Sequence, residues 1–402
     1  MINVTRLLTG GASEGDAIRY GEARPGMGMG HGHGRGVPKT AAERRPVVVW
    51  NITRTCNLHC VHCYSDSDRK SYPGELSFEE CLGVIEDLAK FQVPAVLLSG
   101  GEPLIHPRFW DIAAAAAKAG LRLTLSTNGT LIDAEAAGRI RETGFSYVGV
   151  SLDGLGEVND RFRGKKGAFD EALAGIRNLR AAGQKVGLRL TLTRRNYECL
   201  DAIFDLIERE DIARACFYHL VYTGRGSKLS VDDLSHEETR DAMDRIMART
   251  REFKAKGIDK EILTVDNAVD GPYLYLKLLE TDPVAAKDVL RLLRWNGGAM
   301  HGSGVGIGCI DTQGDVHADQ FWTWRSFGNV RERPFSAIWT DESHALMRGL
   351  KHRDEALNES CRSCRFFKAC GGAFRARADA VSGDPWAIDP ACYLTDGERW
   401  GS

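Results

Sequence analysis

Eleven cysteines lie in this 402-residue chain, and seven of them fall into two tight groups. The first, Cys56-Asn-Leu-His-Cys60-Val-His-Cys63, sets three thiolates on one short segment. A structural zinc or iron–sulfur site takes four protein ligands. No fourth ligand is adjacent, although His59 and His62 lie between the cysteines. Three thiolates on a cubane leave one iron open, and an open coordination position marks a reactive metal rather than a structural one. The second group, Cys361, Cys364, Cys370 and Cys392, supplies four thiolates, enough to close a zinc site or an iron–sulfur cluster. Spacing alone does not choose between them. Cys81, Cys199, Cys216 and Cys309 are scattered and read as small core side chains.

These groups need a scaffold, and the sequence supplies an α/β one. Residues 47–52, Val-Val-Val-Trp-Asn-Ile, read as a buried strand that runs into the first cysteine group. Ser77 and Glu80 form a capping box that starts a helix reaching about Phe91. Strands over 95–98, 121–126, 147–152, 186–192 and 216–222 then alternate with helices over 109–119, 133–143, 168–182 and 198–209. This alternation predicts βαβ units on a parallel sheet. Six strands make a partial (β/α)6 barrel, with chemistry at the carboxyl ends of its strands. The predicted divisions are a flexible N-terminal arm (1–44), the barrel (45–230), a helical bridge (231–300) and a small metal-organised C-terminal domain (301–402). The arm is Gly-rich around Gly26-Met-Gly-Met-Gly-His-Gly-His-Gly-Arg35 and has neither helical nor strand period. Residues 2–8 are its candidate amphipathic contact, and His31 and His33 read as solvated.

Composition narrows the function classes. A net charge of −2 gives no argument for nucleic acid or an anionic membrane. Hydrophobic content of 43% and charged content of 27% suit a globular protein. No apolar run reaches the roughly 18 residues of a membrane span, and the N-terminus lacks the pattern of a secretory signal. A cytoplasmic location is expected, where clustered cysteines point to metal or catalysis rather than to disulfides.

The first cysteine group followed by an aromatic, here Tyr64, resembles the signature of the radical S-adenosylmethionine (SAM) superfamily. The resemblance implies a [4Fe–4S] cluster on Cys56, Cys60 and Cys63 whose open iron chelates SAM. Reduction then yields a 5′-deoxyadenosyl radical that abstracts hydrogen. Gly100-Gly101-Glu102-Pro103 is similar to the family's GGEP element, with Glu102 expected to meet the SAM ammonium. Ser126-Thr-Asn128-Gly129 is similar to the element near the ribose. Ser151-Leu-Asp153-Gly154 ends the fourth predicted strand, with Asp153 among the SAM-binding residues the resemblance implies; Ser151 and Arg163 match positions that meet the SAM carboxylate, and Arg suits a bidentate carboxylate contact.

The second cysteine group resembles the SPASM or twitch class of C-terminal extension, which implies an auxiliary [4Fe–4S] cluster. Asp319, in Gly314-Asp-Val-His-Ala-Asp319, stands where that class carries a cysteine, so one auxiliary cluster is expected. Cys309 and Asp319 are lesser candidates for further ligands. Pro73-Gly-Glu-Leu-Ser77, Val148-Gly-Val-Ser-Leu-Asp-Gly154, Gly187-Leu-Arg-Leu-Thr-Leu-Thr-Arg194, Gly328-Asn-Val-Arg-Glu-Arg-Pro-Phe335 and Gly383-Asp-Pro-Trp386 are similar to the radical SAM proteins of heme d1 biosynthesis (NirJ type). That resemblance implies an iron tetrapyrrole substrate, didecarboxysiroheme, which loses propionate side chains. An electron donor such as flavodoxin or ferredoxin is the implied partner. Arg189, Arg194, Arg195, Arg225 and Lys228 are then candidates for carboxylate contacts. His219, His301 and His317 are candidates for iron ligation, and Trp322 and Trp324 for packing on a flat ligand. The rival readings are a SPASM-type peptide maturase, a related heme-biosynthesis enzyme, and a non-enzymatic electron-transfer or structural metal protein.

Overall fold

The computed structural model describes residues 1–11, 13, 15–20 and 43–401. In chain order the elements are β1 (Ile2–Asn3), α1 (Val4–Thr9), α2 (Asp16–Tyr20), β2 (Val47–Thr53), α3 (Phe78–Lys90), β3 (Val96–Gly100), α4 (Phe109–Lys118), β4 (Leu123–Thr127), α5 (Ala134–Thr143), β5 (Tyr147–Ser151), α6 (Glu157–Arg163), α7 (Ala168–Ala181), β6 (Val186–Leu192), α8 (Leu200–Arg209), β7 (Arg214–His219), α9 (His236–Ala255), β8 (Glu261–Val265), α10 (Asp270–Thr281), α11 (Pro283–Asn296), β9 (Ile307–Ile310) and β10 (Val316–His317). Short helices complete the C-terminal region.

One sheet runs β1-β8-β7-β6-β5-β4-β3-β2-β9-β10. Strands β2 through β8 pair in parallel and in sequence order, so this α/β fold is an incomplete barrel whose end strands stay unjoined. Parallel strands are covered on both faces, which is why β2 can be Val-Val-Val-Trp: Val48 and Trp50 are fully buried. Each connecting helix turns one apolar stripe to the sheet. In α3 that stripe is Cys81, Val84, Ile85 and Leu88, and Ser77 caps the helix reciprocally with Glu80 as the sequence predicts.

Two predicted divisions are corrected. The described residues between 2 and 20 are not a loose arm: β1 pairs antiparallel with β8, Ile2 opposite Thr264. Tyr20 is buried and its hydroxyl accepts from the Asn3 amide at 3.0 Å, and Arg19 pairs with Glu261 at 2.8 Å. A few apolar residues suffice because they extend a sheet edge already present. Residues 21–42, with His31 and His33, lie outside the described residues. The predicted helical bridge contains β8, a seventh parallel strand, whose short run Ile262-Leu-Thr-Val265 is buried on both faces.

The C-terminal region continues the sheet. Its β9 pairs in parallel with β2 and carries β10 beyond it. A buried ion pair fastens it further. Arg377 binds Asp389 through Nε at 2.7 Å and Nη2 at 2.8 Å, and donates to the carbonyls of Leu220 and Asp266, each at 3.0 Å. Those carbonyls follow β7 and β8. Among the described residues no helix is long and apolar enough to cross a membrane.

Arg377→Ala leaves the Asp389 carboxylate buried without its partner, a loss of about 3–5 kcal/mol. Denaturant unfolding of the full chain should show a correspondingly lower midpoint. An unchanged midpoint would mean that this pair does not fasten the two regions.

Candidate active site

The loop after β2 carries the first three cysteines, with Cys56 and Cys60 buried. Neighbouring backbone sets its path. The Cys56 amide donates to Asp68 O at 3.0 Å, the Val61 amide to Phe162 O at 3.0 Å, and Arg225 Nε to Cys60 O at 2.7 Å. All three cysteines line one cavity, with about 1040 Å³ of empty space including its open mouth. The carboxyl ends of β3 through β7 form its walls, with Gly100, Gly101, Ser126, Asn128, Ser151, Asp153 and Arg163 among the lining residues. Of the site residues expected from the sequence, the structure brings these seven together with the cysteines and Tyr64. Tyr64 donates to Asn51 Oδ1 at 3.0 Å and meets Phe321 edge-on.

Glu102 and Pro103 stand behind this wall rather than on it. Glu102 is fully buried, and its carboxylate accepts from Thr127 Oγ1 at 2.8 Å and from the Asn128 amide at 2.7 Å. It thereby holds the β4 end, and Asn128 Nδ2 reaches Asn57 Oδ1 at 2.8 Å beside Cys56. The two glycines before it answer to protein backbone. Gly100 has φ +136°, and a Cβ there would lie 2.2 Å from Thr53 O; one on Gly101 would lie 2.3 Å from Thr55 O. Their smallness lets β3 close on the start of the cysteine loop, with Gly101 N donating to Thr53 O at 2.7 Å.

The electrostatics favour a cationic guest between the thiols. Burial pushes the Cys56 thiol up to about 12 and raises Cys60. Buried thiolates are stable only beside positive charge, and bound metal ions supply it. Arg163, whose Nη1 lies 3.7 Å from Cys60 Sγ, is ion-paired with buried Asp153. His62 packs at a tilt against Phe162, ring centroids 4.6 Å apart, with Nε2 3.5 Å from Asp153, and burial lowers its pKa to about 4. The exposed His59 pairs with Asp68 instead. The donor set of three convergent soft thiols therefore fits an iron–sulfur cluster with one open corner.

Of the five cationic candidates, the structure brings only Arg189 into the cavity. Its Nη1 donates to Ser126 Oγ at 2.5 Å and its guanidinium lies 4.9 Å from the Tyr218 ring centroid. Arg194 pairs with Glu238 and Arg195 with Asp232 on the surface, Lys228 is exposed, and Arg225 braces the cysteine loop. Of the three histidines, only His219 lines the cavity. His301 bonds Asn296 O at 2.8 Å, and buried His317 bonds Arg325 O at 2.9 Å. Trp322 and Trp324 both donate to Asp379 and belong to the C-terminal core and its surface. The aromatic rings on the cavity wall are Tyr64, Tyr218 and Phe321. Tyr218 and Asp266 escaped the sequence reading, although the position of Tyr218 two residues after Cys216 puts both on the inner side of β7.

Cys361, Cys364, Cys370 and Cys392 line a second cavity, walled mainly by apolar groups including Phe366, Phe367 and Ile388, with Arg399 at its side. Burial raises Cys361 and lifts Cys392 to about 11, so these thiols would ionise only with positive charge bound between them. Four thiols fit a fully ligated cluster. Cys309 and Asp319 lie elsewhere: Asn51 Nδ2 reaches Cys309 Sγ at 3.7 Å, and Asp319 Oδ1 accepts from Phe321 and Trp322 amides at 2.8 and 3.1 Å.

Comparison with known proteins agrees with this geometry. Residues 50–207 match the model of the radical SAM superfamily, and residues 305–365 match the SPASM iron–sulfur cluster-binding domain. The chain is 51% identical to the Fe-coproporphyrin III synthase of Methanosarcina barkeri, over 99% of this chain and 98% of the relative. It is 44% identical to the pre-heme d1 synthase of Dinoroseobacter shibae, over 90% of this chain and 88% of the relative. Among solved structures, Streptococcus suis SuiB bound to S-adenosylmethionine superimposes with a TM-score of 0.68, at 16% identity, covering 87% of this chain and 78% of that one. At that identity the likeness establishes the fold alone.

Cys56→Ala removes one ligand of three and leaves the second group intact. Iron content should fall by about half, with loss of any paramagnetic signal that responds to SAM. Full loss of iron would show the two groups to be interdependent. Burial lifts Glu102 from 4.5 to about 7. The folded protein therefore holds this proton more tightly than the unfolded chain, and the stabilising contribution is full below pH 4.5 and lost as pH rises through 7. Glu102→Gln should flatten the thermal-stability profile across that window; an unaltered slope would show that Glu102 does not titrate there.

Proposed function

Since the chain belongs to the radical SAM family of heme-biosynthesis enzymes, we propose that it trims carboxyalkyl side chains from an iron tetrapyrrole of the didecarboxysiroheme type, with Fe-coproporphyrin III as product. Membership brings a SAM-binding [4Fe–4S] cluster, and the SPASM domain an auxiliary iron–sulfur cluster. Cys56, Cys60 and Cys63 would hold the first, and Cys361, Cys364, Cys370 and Cys392 the second. When bound and reduced, the first cluster with SAM supplies hydrogen-atom abstraction from an unactivated carbon.

The observation that carries the reading is the 51% identity to a Fe-coproporphyrin III synthase, sustained over 99% of the chain. The pre-heme d1 synthase matches at 44% over 90%, so heme biosynthesis is the shared ground and the heme d1 product is the weaker reading. The residues suit a polycarboxylate macrocycle. Arg189 presents a guanidinium to the cavity with Tyr218 beneath it, and charge-assisted pairing anchors a side-chain carboxylate. Asn128 Nδ2 lies 3.9 Å from Cys56 Sγ and Arg163 Nη1 3.7 Å from Cys60 Sγ; these two, with Ser151 on the same cavity wall, would orient SAM, with Asp153 holding Arg163 in place. Gly100 and Gly101 bring β3 against the cysteine loop, while Glu102 fixes the β4 turn from behind.

Anaerobic turnover of didecarboxysiroheme with SAM and a reductant should release substrate-dependent 5′-deoxyadenosine and a tetrapyrrole with the mass of Fe-coproporphyrin III. A product on the heme d1 line would reassign the specificity, and absence of substrate-dependent deoxyadenosine would refute the reading. Arg189→Gln removes one charged contact of about 1.5–3 kcal/mol, so substrate affinity should weaken about tenfold or more.

A further inference from the structure

We propose that His219, oriented by Asp270, is the protein ligand to the iron of the tetrapyrrole substrate; this rests on the tetrapyrrole reading above. His219 ends β7, is 9% exposed, and lines the cavity that holds the first three cysteines. Its Nε2 lies 2.9 Å from Asp270 Oδ2. A carboxylate can only accept there, so Nε2 carries the hydrogen and Nδ1 is the nitrogen left for a ligand. The bond to Asp270 leaves Nδ1 unused by that carboxylate.

The carboxylate is itself fixed. Asp270 is fully buried, and its other oxygen accepts from the Tyr393 hydroxyl at 2.7 Å. A carboxylate that holds one imidazole nitrogen fixes the tautomer and turns the other nitrogen to a metal, and it raises the basicity of that ligand. Neutral imidazole is a good donor to iron. On binding, the Nδ1 lone pair forms the bond to iron, any proton on Nδ1 passes to solvent, and Nε2 keeps its hydrogen and its bond to Asp270. The Asp270 charge raises the pKa of His219 against burial, so the proton that iron displaces from Nδ1 is the one this carboxylate favours in the unliganded protein.

The other histidines are spent differently. His62 faces Asp153 and packs at a tilt against Phe162, while His301 and His317 bond backbone carbonyls. The neighbour of His219 in the chain, Tyr218, underlies Arg189. One patch of wall therefore offers an iron ligand beside a carboxylate anchor, the two features by which an iron tetrapyrrole differs from an apolar disc.

The test is an anaerobic titration of the holoenzyme, with both clusters reconstituted, using ferric coproporphyrin III and metal-free coproporphyrin III, read by Soret absorption and electron paramagnetic resonance. The wild type should bind the iron form about tenfold or more tightly than the metal-free one, with a shifted Soret band and an imidazole-ligated ferric signal. His219→Ala should lose the shift and the preference while still binding both macrocycles, and added imidazole should restore the signal. His219→Gln, which keeps a donor for Asp270, should behave like His219→Ala and guards against a variant that merely misfolds. Retention of the ligated signal in both variants, or no iron preference in the wild type, would overturn the proposal while leaving the tetrapyrrole reading intact. Failure of the wild type to bind either macrocycle would overturn both.

Discussion

Parallel pairing of β2 through β8 delivers seven carboxyl ends to one side of the sheet, and every reactive group of the barrel depends on that register. β2 runs into the cysteine loop, β3 into Gly100 and Gly101, β4 into Ser126 and Asn128, and β5 into Ser151 and Asp153. β6 brings Arg189 and β7 brings Tyr218 and His219. A slip of one residue in any strand would turn its inward side chains to the outer face, so the buried apolar residues that fix register also fix the chemistry.

Buried charge is the second organising constraint, and it is handled locally. Arg163 and Asp153 neutralise each other beside Cys60, and Arg377 and Asp389 do so between the barrel and the C-terminal region. Arg377 also bonds the carbonyls of Leu220 and Asp266, and both residues line the cavity. The far region thereby shapes the near site. Asp270 does the same by another route: it carries His219 on one oxygen and Tyr393, the residue after Cys392, on the other. The orientation of a cavity histidine is thus tied to the segment that holds the second cysteine group.

Much of the fold was legible because its elements are locally determined. The capping box at Ser77 and Glu80 and apolar runs of strand length placed six strands and five helices within a few residues. The β8 strand and the N-terminal β1 were missed. β1 has two residues, too few to show a period, and β8, though as long as β3, lies in a polar, mostly helical stretch; both join a sheet already there to receive them. Glu102 shows the limit for a site residue. Its place beside two glycines marks it as part of the cavity wall, yet only the folded chain shows the carboxylate turned inward to Thr127 and Asn128.

By itself the sequence determined the chemistry available: two sets of thiols, three and four, at spacings that local loops impose whatever surrounds them. It also determined the alternating βα pattern that sends such loops to one end of a sheet. Tertiary structure alone decided which of many charged and aromatic residues share the cavity. Arg189 and His219 enter while Arg194, Arg195, His301 and His317 do not. That selection depends on contacts between segments far apart in the chain, and local spacing carries no record of them.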